Sequence, residues 1–346
     1  MQMDNFTKST NADAPRIVII GTGSWGTTLA VLLAQKKFSV ALVARAAVQA
    51  EQLHSARKNR EFTPGLKFPA DLFVTAEIDR ALDHCALALI VVPAQTLRDN
   101  VRRLRDVLPR DAIVLSCSKG LEIGTTRRMS QIIEEELPTN ADKIAVLSGP
   151  NLQSEIANGQ PAASVIASRN LDAARMAQEM LMTPRFRLYT HDDVVGVELG
   201  GALKNIIAIA AGAVDGFGLG DNAKATVLTR GLAEITRLAV AQGANPLTLA
   251  GLAGIGDLIA TCASSHSRNH QVGERLAHGE NIDAIRASMK MVAEGVPTTK
   301  AALQMAQHLG IELPITEQVY AVTYENKNPR QAVMDLMTRA ARSELD

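Results

Sequence analysis

The run Gly196-Val-Glu-Leu-Gly-Gly-Ala-Leu-Lys-Asn-Ile-Ile-Ala-Ile-Ala-Ala-Gly-Ala-Val214 reads as a helix apolar on nearly every face, which implies burial inside a larger domain. Lys204 and Asn205 sit in its middle. An ammonium group in apolar surroundings needs a partner or a reason to lose its proton, because desolvation disfavours its charge. A lysine tuned in this way suits general acid–base work near neutral pH. The alternative is a side chain that snorkels to water from a helix end. Gly200 lies one helical turn before Lys204 on the same face, where bare backbone lets a ligand or a chain segment approach closely. The working expectation is that Lys204 does chemistry.

Three other places carry reactive or binding groups. Lys119 stands in Ser116-Cys-Ser-Lys-Gly-Leu-Glu122, directly after an apolar run. A loop lysine is ordinarily a solvated charge, but beside Gly120 at the carboxyl edge of a buried strand it suits a phosphate or a carbonyl. In Gly254-Ile-Gly-Asp-Leu-Ile-Ala-Thr261, Asp257 and Thr261 fall one turn apart on an otherwise apolar helix. Asp257 either joins the chemistry or simply caps that helix after Gly256. Ser267-Arg268-Asn269 packs a hydroxyl, a guanidinium and an amide together, and arginine's paired donors suit a phosphate. A solvated loop explains that triplet equally well on its own. Val292-Ala-Glu294-Gly-Val-Pro297 is a turn before another helix and says little alone.

The elements that must position these groups fall into two kinds. Ile17–Ile20 is a short β run, followed at once by Gly21-Thr-Gly23-Ser-Trp-Gly26 and a helical stretch to about Lys37. Strand, G-x-G-x-x-G turn and helix together predict a dinucleotide site, with a pyrophosphate approaching the glycines and the helix N-terminus. The next strand, Val40–Ala44, ends at Arg45, where an acidic residue would favour NAD and an arginine can hold a 2′-phosphate. Leu87–Val92, Ala112–Cys117, Ile144–Leu147, Ala162–Ala167 and Phe186–Tyr189 continue the series. Most are continuous apolar runs separated by helical segments such as Met129–Leu137, as in a parallel sheet covered on both faces. From Asp193 onward strand-like runs vanish. Asn245-Pro246 and Asn328-Pro329 each place a cap before a proline at a first helical position. The predicted fold is α/β: a Rossmann-type doubly wound parallel sheet with an all-helical C-terminal domain. Residues 1–14 form a polar tail, 15–192 the dinucleotide-binding domain and 193–346 the helical substrate and catalytic domain.

Composition excludes several classes. The 346 residues include 36 Lys+Arg and 36 Asp+Glu, so no bulk charge draws the protein to nucleic acid or an anionic membrane. Cys85, Cys117 and Cys262 are odd in number and far apart, which predicts reduced thiols in the cytoplasm. His266 and His270 have i, i+4 spacing without an intervening glutamate, and no metal is expected. The N-terminus lacks the apolar core of a signal peptide, and no apolar run approaches the length of a membrane span.

Taken together, the motifs resemble the bacterial NAD(P)-dependent glycerol-3-phosphate dehydrogenases over nearly the whole chain after the tail. The likeness rests on Gly21–Gly26, Ser118-Lys-Gly-Leu-Glu122, Ser148-Gly-Pro150, Glu198-Leu-Gly-Gly-Ala-Leu-Lys-Asn205 and Asp215-Gly. It continues through Thr229-Arg-Gly-Leu-Ala-Glu234, Gly254-Ile-Gly-Asp257, Ser267-Arg-Asn269 and Pro314-Ile-Thr-Glu317. The resemblance implies roles for single residues. Lys204 is the expected proton acceptor, and Lys119 is expected to touch coenzyme and substrate. Gly149, Asn151, Asp257, Ser267, Arg268 and Asn269 are expected at glycerol 3-phosphate. Gly21, Gly23, Ser24, Trp25, Gly26, Arg45, Gln153, Val292 and Glu294 are expected at NAD or NADP, which Arg268 also reaches.

It further implies interconversion of sn-glycerol 3-phosphate and dihydroxyacetone phosphate, supply of phospholipid synthesis, and a homodimer without membrane insertion. One departure stands out. Family members follow Ser-Gly-Pro with a small or hydroxyl residue, an aromatic and a small residue, whereas this chain has Asn151-Leu152-Gln153. Here an amide takes the hydroxyl's place. Two rival readings are a related two-domain dehydrogenase acting on a β-hydroxyacid and a nucleotide-sensing protein without turnover.

Overall fold

The computed structural model describes residues 16–341, 343 and 344, so the predicted tail lies outside the described residues. Eight strands form one sheet: β1 (Arg16–Ile20), β2 (Ser39–Val43), β3 (Phe73–Thr75), β4 (Cys85–Ile90), β5 (Ile113–Ser116), β6 (Ile144–Ser148), β7 (Ala162–Ala167) and β8 (Phe186–His191). Their order is β3-β2-β1-β4-β5-β6-β7-β8. The pairs β1–β2, β1–β4, β2–β3, β4–β5, β5–β6 and β7–β8 are parallel. The order reverses between β1 and β4, and in open α/β sheets that switch point opens a crevice at the strands' carboxyl ends.

The unbroken apolar runs have a direct cause. Alternate residues of a strand face opposite sides, so a strand covered on both needs apolar side chains throughout. Ile17 and Ile19 of β1 join one core, with Leu87 and Leu89 of β4. Val18 and Ile20 join the other, with Ala88 and Ile90. At the sheet edge, β8 alternates instead: Phe186 and Leu188 are buried while Arg187 and Tyr189 face water. The three-residue strand β3 has no counterpart in the sequence reading, because so short a run shows no period.

The chain packs as two compact units. One comprises the described residues through Ser118 with Met129–Leu147 and Gln153–Val194. The other comprises Lys119–Arg128, Ser148–Leu152 and the residues from Val195 onward. Beyond Val195 the described residues form helices and no strand. The helix Val194–Gly216 is, contrary to the sequence reading, long and apolar enough to cross a membrane. Its most apolar window is 83% buried within the protein, as for a core helix; Pro246–Ala263 also passes on length and composition and is 44% buried. Leu199, Leu203, Ile206, Ile207 and Ala211 of the first helix sit in the core of the helical unit.

Candidate active site

The glycine turn of the first unit is built from backbone. Gly21 adopts φ +117°, and a Cβ there would stand 2.2 Å from the Val91 carbonyl oxygen at the end of β4. Gly26, in the helix Ser24–Gln35, lets that helix sit against the turn: its Cβ would meet the Gly21 carbonyl oxygen at 2.0 Å. Gly23 is different. A Cβ there would meet nothing within 4 Å, so open space lies beside the helix N-terminus. No acidic residue occupies the first turn, which leaves its N–H groups and positive end of the dipole suited to an anion. These features fit a pyrophosphate.

Ser24 is buried, and Trp25 packs edge-on against Phe186 with ring centroids 6.1 Å apart. Asn59, which sequence reasoning missed, pins the turn: its amide donates to the Thr22 carbonyl at 2.8 Å and to the Thr27 hydroxyl at 3.0 Å. Arg45 is exposed just past the end of β2. Gln153 donates to the Thr28 hydroxyl on the glycine-turn helix at 2.6 Å.

The second unit gathers the lysines. Lys204 is 6% exposed, so it does not snorkel. Its ammonium donates to Asp257 Oδ1 at 2.8 Å and to the Thr261 hydroxyl. Lys119 donates to Asp257 Oδ2 at 2.7 Å, to the Gly149 carbonyl at 3.0 Å and to Asn151 Oδ1 at 2.9 Å. Gly149 turns its carbonyl there from φ +139°, a conformation that favours glycine. Asp257 is 1% exposed, and its oxygens accept from Lys119, Lys204 and the Thr261 hydroxyl, while Gly256 stands at the N-cap position, which speaks against a helix-cap role. Burial pushes its carboxyl up, but the ammonium groups of Lys119 and Lys204 and their hydrogen bonds outweigh that and hold it below the ordinary value. Thr261, noted in the sequence only for its spacing, and Asn205 complete the surroundings. The Ser148 hydroxyl and the Asn151 amide nitrogen are buried without a hydrogen-bond partner among the described residues, two polar groups left over beside Lys119. Cys262 is inert here, since burial pushes its thiol up to about 12.

Ser267, Arg268 and Asn269 are no solvated loop. Ser267 is the N-cap of the helix Arg268–Ala277 and accepts the His270 N–H at 3.3 Å. Asn269 donates to Asn205 Oδ1 at 2.9 Å and accepts the Gly295 N–H at 2.9 Å, so an amide chain ties it to the lysine helix. The Arg268 guanidinium donates to the Val292 carbonyl at 2.6 Å; burial lowers its pKa and Glu294 opposes that. A hydroxyl, a guanidinium and a helix N-terminus thus lie in consecutive residues of the unit that holds the lysines, group types suited to phosphate.

The likenesses to known proteins run along both halves of the chain. The model of the NAD-dependent glycerol-3-phosphate dehydrogenase N-terminus matches residues 16–174, and that of the C-terminus matches residues 193–334. A glycerol-3-phosphate dehydrogenase (NAD(P)+) of Chlorobium phaeobacteroides is 45% identical over 95% of this chain and 99% of its own. One of Geobacillus thermodenitrificans is 45% identical over 95% of this chain and 96% of its own. The crystal structure of glycerol-3-phosphate dehydrogenase from Coxiella burnetii superposes with a TM-score of 0.90 at 35% identity, covering 94% of this chain and 99% of that one. Likeness of this extent makes the chain a member of the NAD-dependent glycerol-3-phosphate dehydrogenase family.

Proposed function

We propose that the protein interconverts sn-glycerol 3-phosphate and dihydroxyacetone phosphate using NAD or NADP, with Lys204 as the proton acceptor. The observation that carries the reading is Asp257, one buried carboxylate whose two oxygens each hold a different lysine. Lys119 already meets three acceptors. Lys204 meets two, which leaves one hydrogen-bonding direction of its nitrogen for a substrate hydroxyl.

When bound, the nicotinamide coenzyme supplies the hydride acceptor or donor. In the oxidative direction the C2–H bond breaks with its electron pair, the hydroxyl proton passes to the lone pair of Lys204 as the neutral amine, which becomes the ammonium, and the C2–O bond becomes a carbonyl. The reductive direction reverses each transfer. Lys119 stabilises the oxygen as negative charge develops, and Asp257 holds both lysine nitrogens in place. Ser267, Arg268 and Asn269 hold the phosphate, with Gly149 and Asn151 beside Lys119. The glycine turn, Ser24, Trp25 and Arg45 hold the coenzyme, with Gln153, Arg268, Val292 and Glu294 contributing. In this division of labour residues 15–192 bind the dinucleotide and 193–346 carry the chemistry, with Lys119, Gly149 and Asn151 contributed from the first stretch of chain.

The phosphate-suited set speaks for a phosphorylated substrate over a β-hydroxyacid. Adding dihydroxyacetone phosphate to protein and NADH should remove the reduced-nicotinamide absorbance in proportion to turnover. A β-ketoacid that is turned over faster, or NADH binding without consumption, would overturn the reading. The same reading makes the protein a cytoplasmic homodimer that supplies glycerol 3-phosphate to phospholipid synthesis. Three buried free cysteines support a reducing compartment.

A further inference from the structure

Bare backbone at Gly200 invites either a ligand or a chain segment, and the structure supplies a chain segment. A Cβ on Gly200 would stand 2.6 Å from the Ala253 carbonyl oxygen and 3.2 Å from its carbon. Ala253 lies in the π-helical turn Leu252–Gly256, which runs without a break into Asp257 and the helix Asp257–Ala263. The wide turn is closed by the Gly256 N–H donating to the Gly251 carbonyl at 3.1 Å. It is crowded from inside as well, since a Cβ on Gly254 would meet the Leu249 carbonyl oxygen at 2.0 Å. Single π turns are rare and recur at functional sites, because they re-aim whatever follows them. Here Asp257 follows, and aspartate has only one methylene with which to correct an error in backbone position.

We infer that Gly200 and the π turn seated on it set the reach of the Asp257 carboxylate between Lys204 and Lys119, making Gly200 and Gly254 positioning residues for the acid–base pair. The inference rests on the acid–base role proposed for Lys204. A methyl group at Gly200 forces the Ala253 carbonyl away. The displaced turn carries the start of the helix with it, and the two bonds of 2.8 Å and 2.7 Å from Asp257 lengthen together. Neighbouring Gly256 provides a control: a Cβ there meets its nearest atom at 3.6 Å, an ordinary contact.

The test measures dihydroxyacetone phosphate reduction and, separately, NADH binding by fluorescence for Gly200→Ala, Gly256→Ala, Asp257→Glu and the Gly200→Ala/Asp257→Glu double variant. Misplacement of a catalytic group by about 1 Å costs up to ~100-fold, so Gly200→Ala should lower kcat at least about tenfold with KM and NADH binding little changed. Gly256→Ala should stay within about twofold of wild type. Asp257→Glu alone should also lose at least about tenfold, since a turn held at fixed distance has no room for another methylene. In the double variant the longer side chain spans the retreat of the turn, and kcat should rise at least about threefold above Gly200→Ala. Wild-type kcat in Gly200→Ala, or purely additive losses in the double variant, overturns the inference. If Gly200→Ala does not fold, Asp257→Glu decides: kcat within about threefold of wild type overturns it, and the larger loss supports it. Lys204→Ala keeps the two levels apart. If it is inactive while Gly200→Ala behaves as wild type, only the positioning inference fails; if it is active, the proposed function fails.

Discussion

The glycine turn and the lysine cluster are built on opposite principles. The turn is a backbone site, made by three glycines and one helix end within Gly21–Gly26, and its side chains matter mainly by being absent. The cluster is drawn mainly from side chains, those of Lys119, Asn151, Lys204, Asp257 and Thr261 with the Gly149 carbonyl, brought from four separate stretches of the chain into one packed unit. On the proposed reading the turn, lacking side chains, takes any dinucleotide pyrophosphate, and the choice of coenzyme falls to the neighbourhood of Arg45. Two ammonium groups around one carboxylate make the cluster sensitive to any single change, because each charge depends on the others.

The contrast is sharpest for Asp257. Asp257→Asn leaves two ammonium groups facing each other without their shared counter-ion. Removing one partner of a buried ion pair costs roughly 3–5 kcal/mol of stability, with coenzyme affinity untouched. Chemical denaturation and NADH titration check both halves. The pH dependence has a definite sign. Because the folded-state carboxyl lies below its ordinary value of 3.8, its contribution is present at neutral pH and is lost only as pH falls through the lowered value. The Asn variant should lack that acid-limb component. Arg268→Ala should lower kcat/KM for dihydroxyacetone phosphate about 10–150-fold, the worth of charged hydrogen bonds of roughly 1.5–3 kcal/mol. Unphosphorylated dihydroxyacetone should be much less affected, and equal proportional losses would remove the phosphate assignment.

On the backbone side the effects are smaller. Gly23→Ala meets no protein atom within 4 Å, so its melting temperature should match wild type. NADH affinity should nonetheless fall about tenfold, because the methyl group occupies space meant for the pyrophosphate. An unchanged affinity would mean that the open space at Gly23 is not the coenzyme's. Arg45→Asp should weaken NADPH use by ~1.5 kcal/mol, about tenfold, and leave NADH use level or improved. An unchanged NADPH-to-NADH ratio of kcat/KM would show that Arg45 does not read the 2′ position.

The same contrast explains what the sequence made legible. A local backbone motif keeps strand, turn and helix adjacent, so Gly21–Gly26 can be read directly. Lys204 was legible as an anomaly, a charge in an apolar helix, but nothing local reveals that Lys119 shares its carboxylate. Asp257 reads equally well as a helix cap until the structure shows both of its oxygens on lysines. Ser267 shows the reverse: it does cap a helix, which places Arg268 and Asn269 on ordered backbone. Asn59 carried no signal, since an asparagine between elements is ordinary until its amide is seen to hold the turn. Some family motifs turn out to be one joint. Glu234 accepts the Ile315 N–H at 2.6 Å and the Thr316 N–H at 3.1 Å, capping the helix Pro314–Tyr324 and linking two runs that look unrelated in the sequence.

The claim that Lys204 carries the proton transfer without holding the coenzyme is tested most directly by Lys204→Ala, with NADH binding and dihydroxyacetone phosphate turnover measured on the same preparation. General acid–base groups contribute about 10²–10⁴-fold, so turnover should fall at least about 100-fold while the NADH Kd stays within about twofold of wild type. A variant retaining more than about a tenth of wild-type kcat at every pH would remove Lys204 from the mechanism and contradict the account.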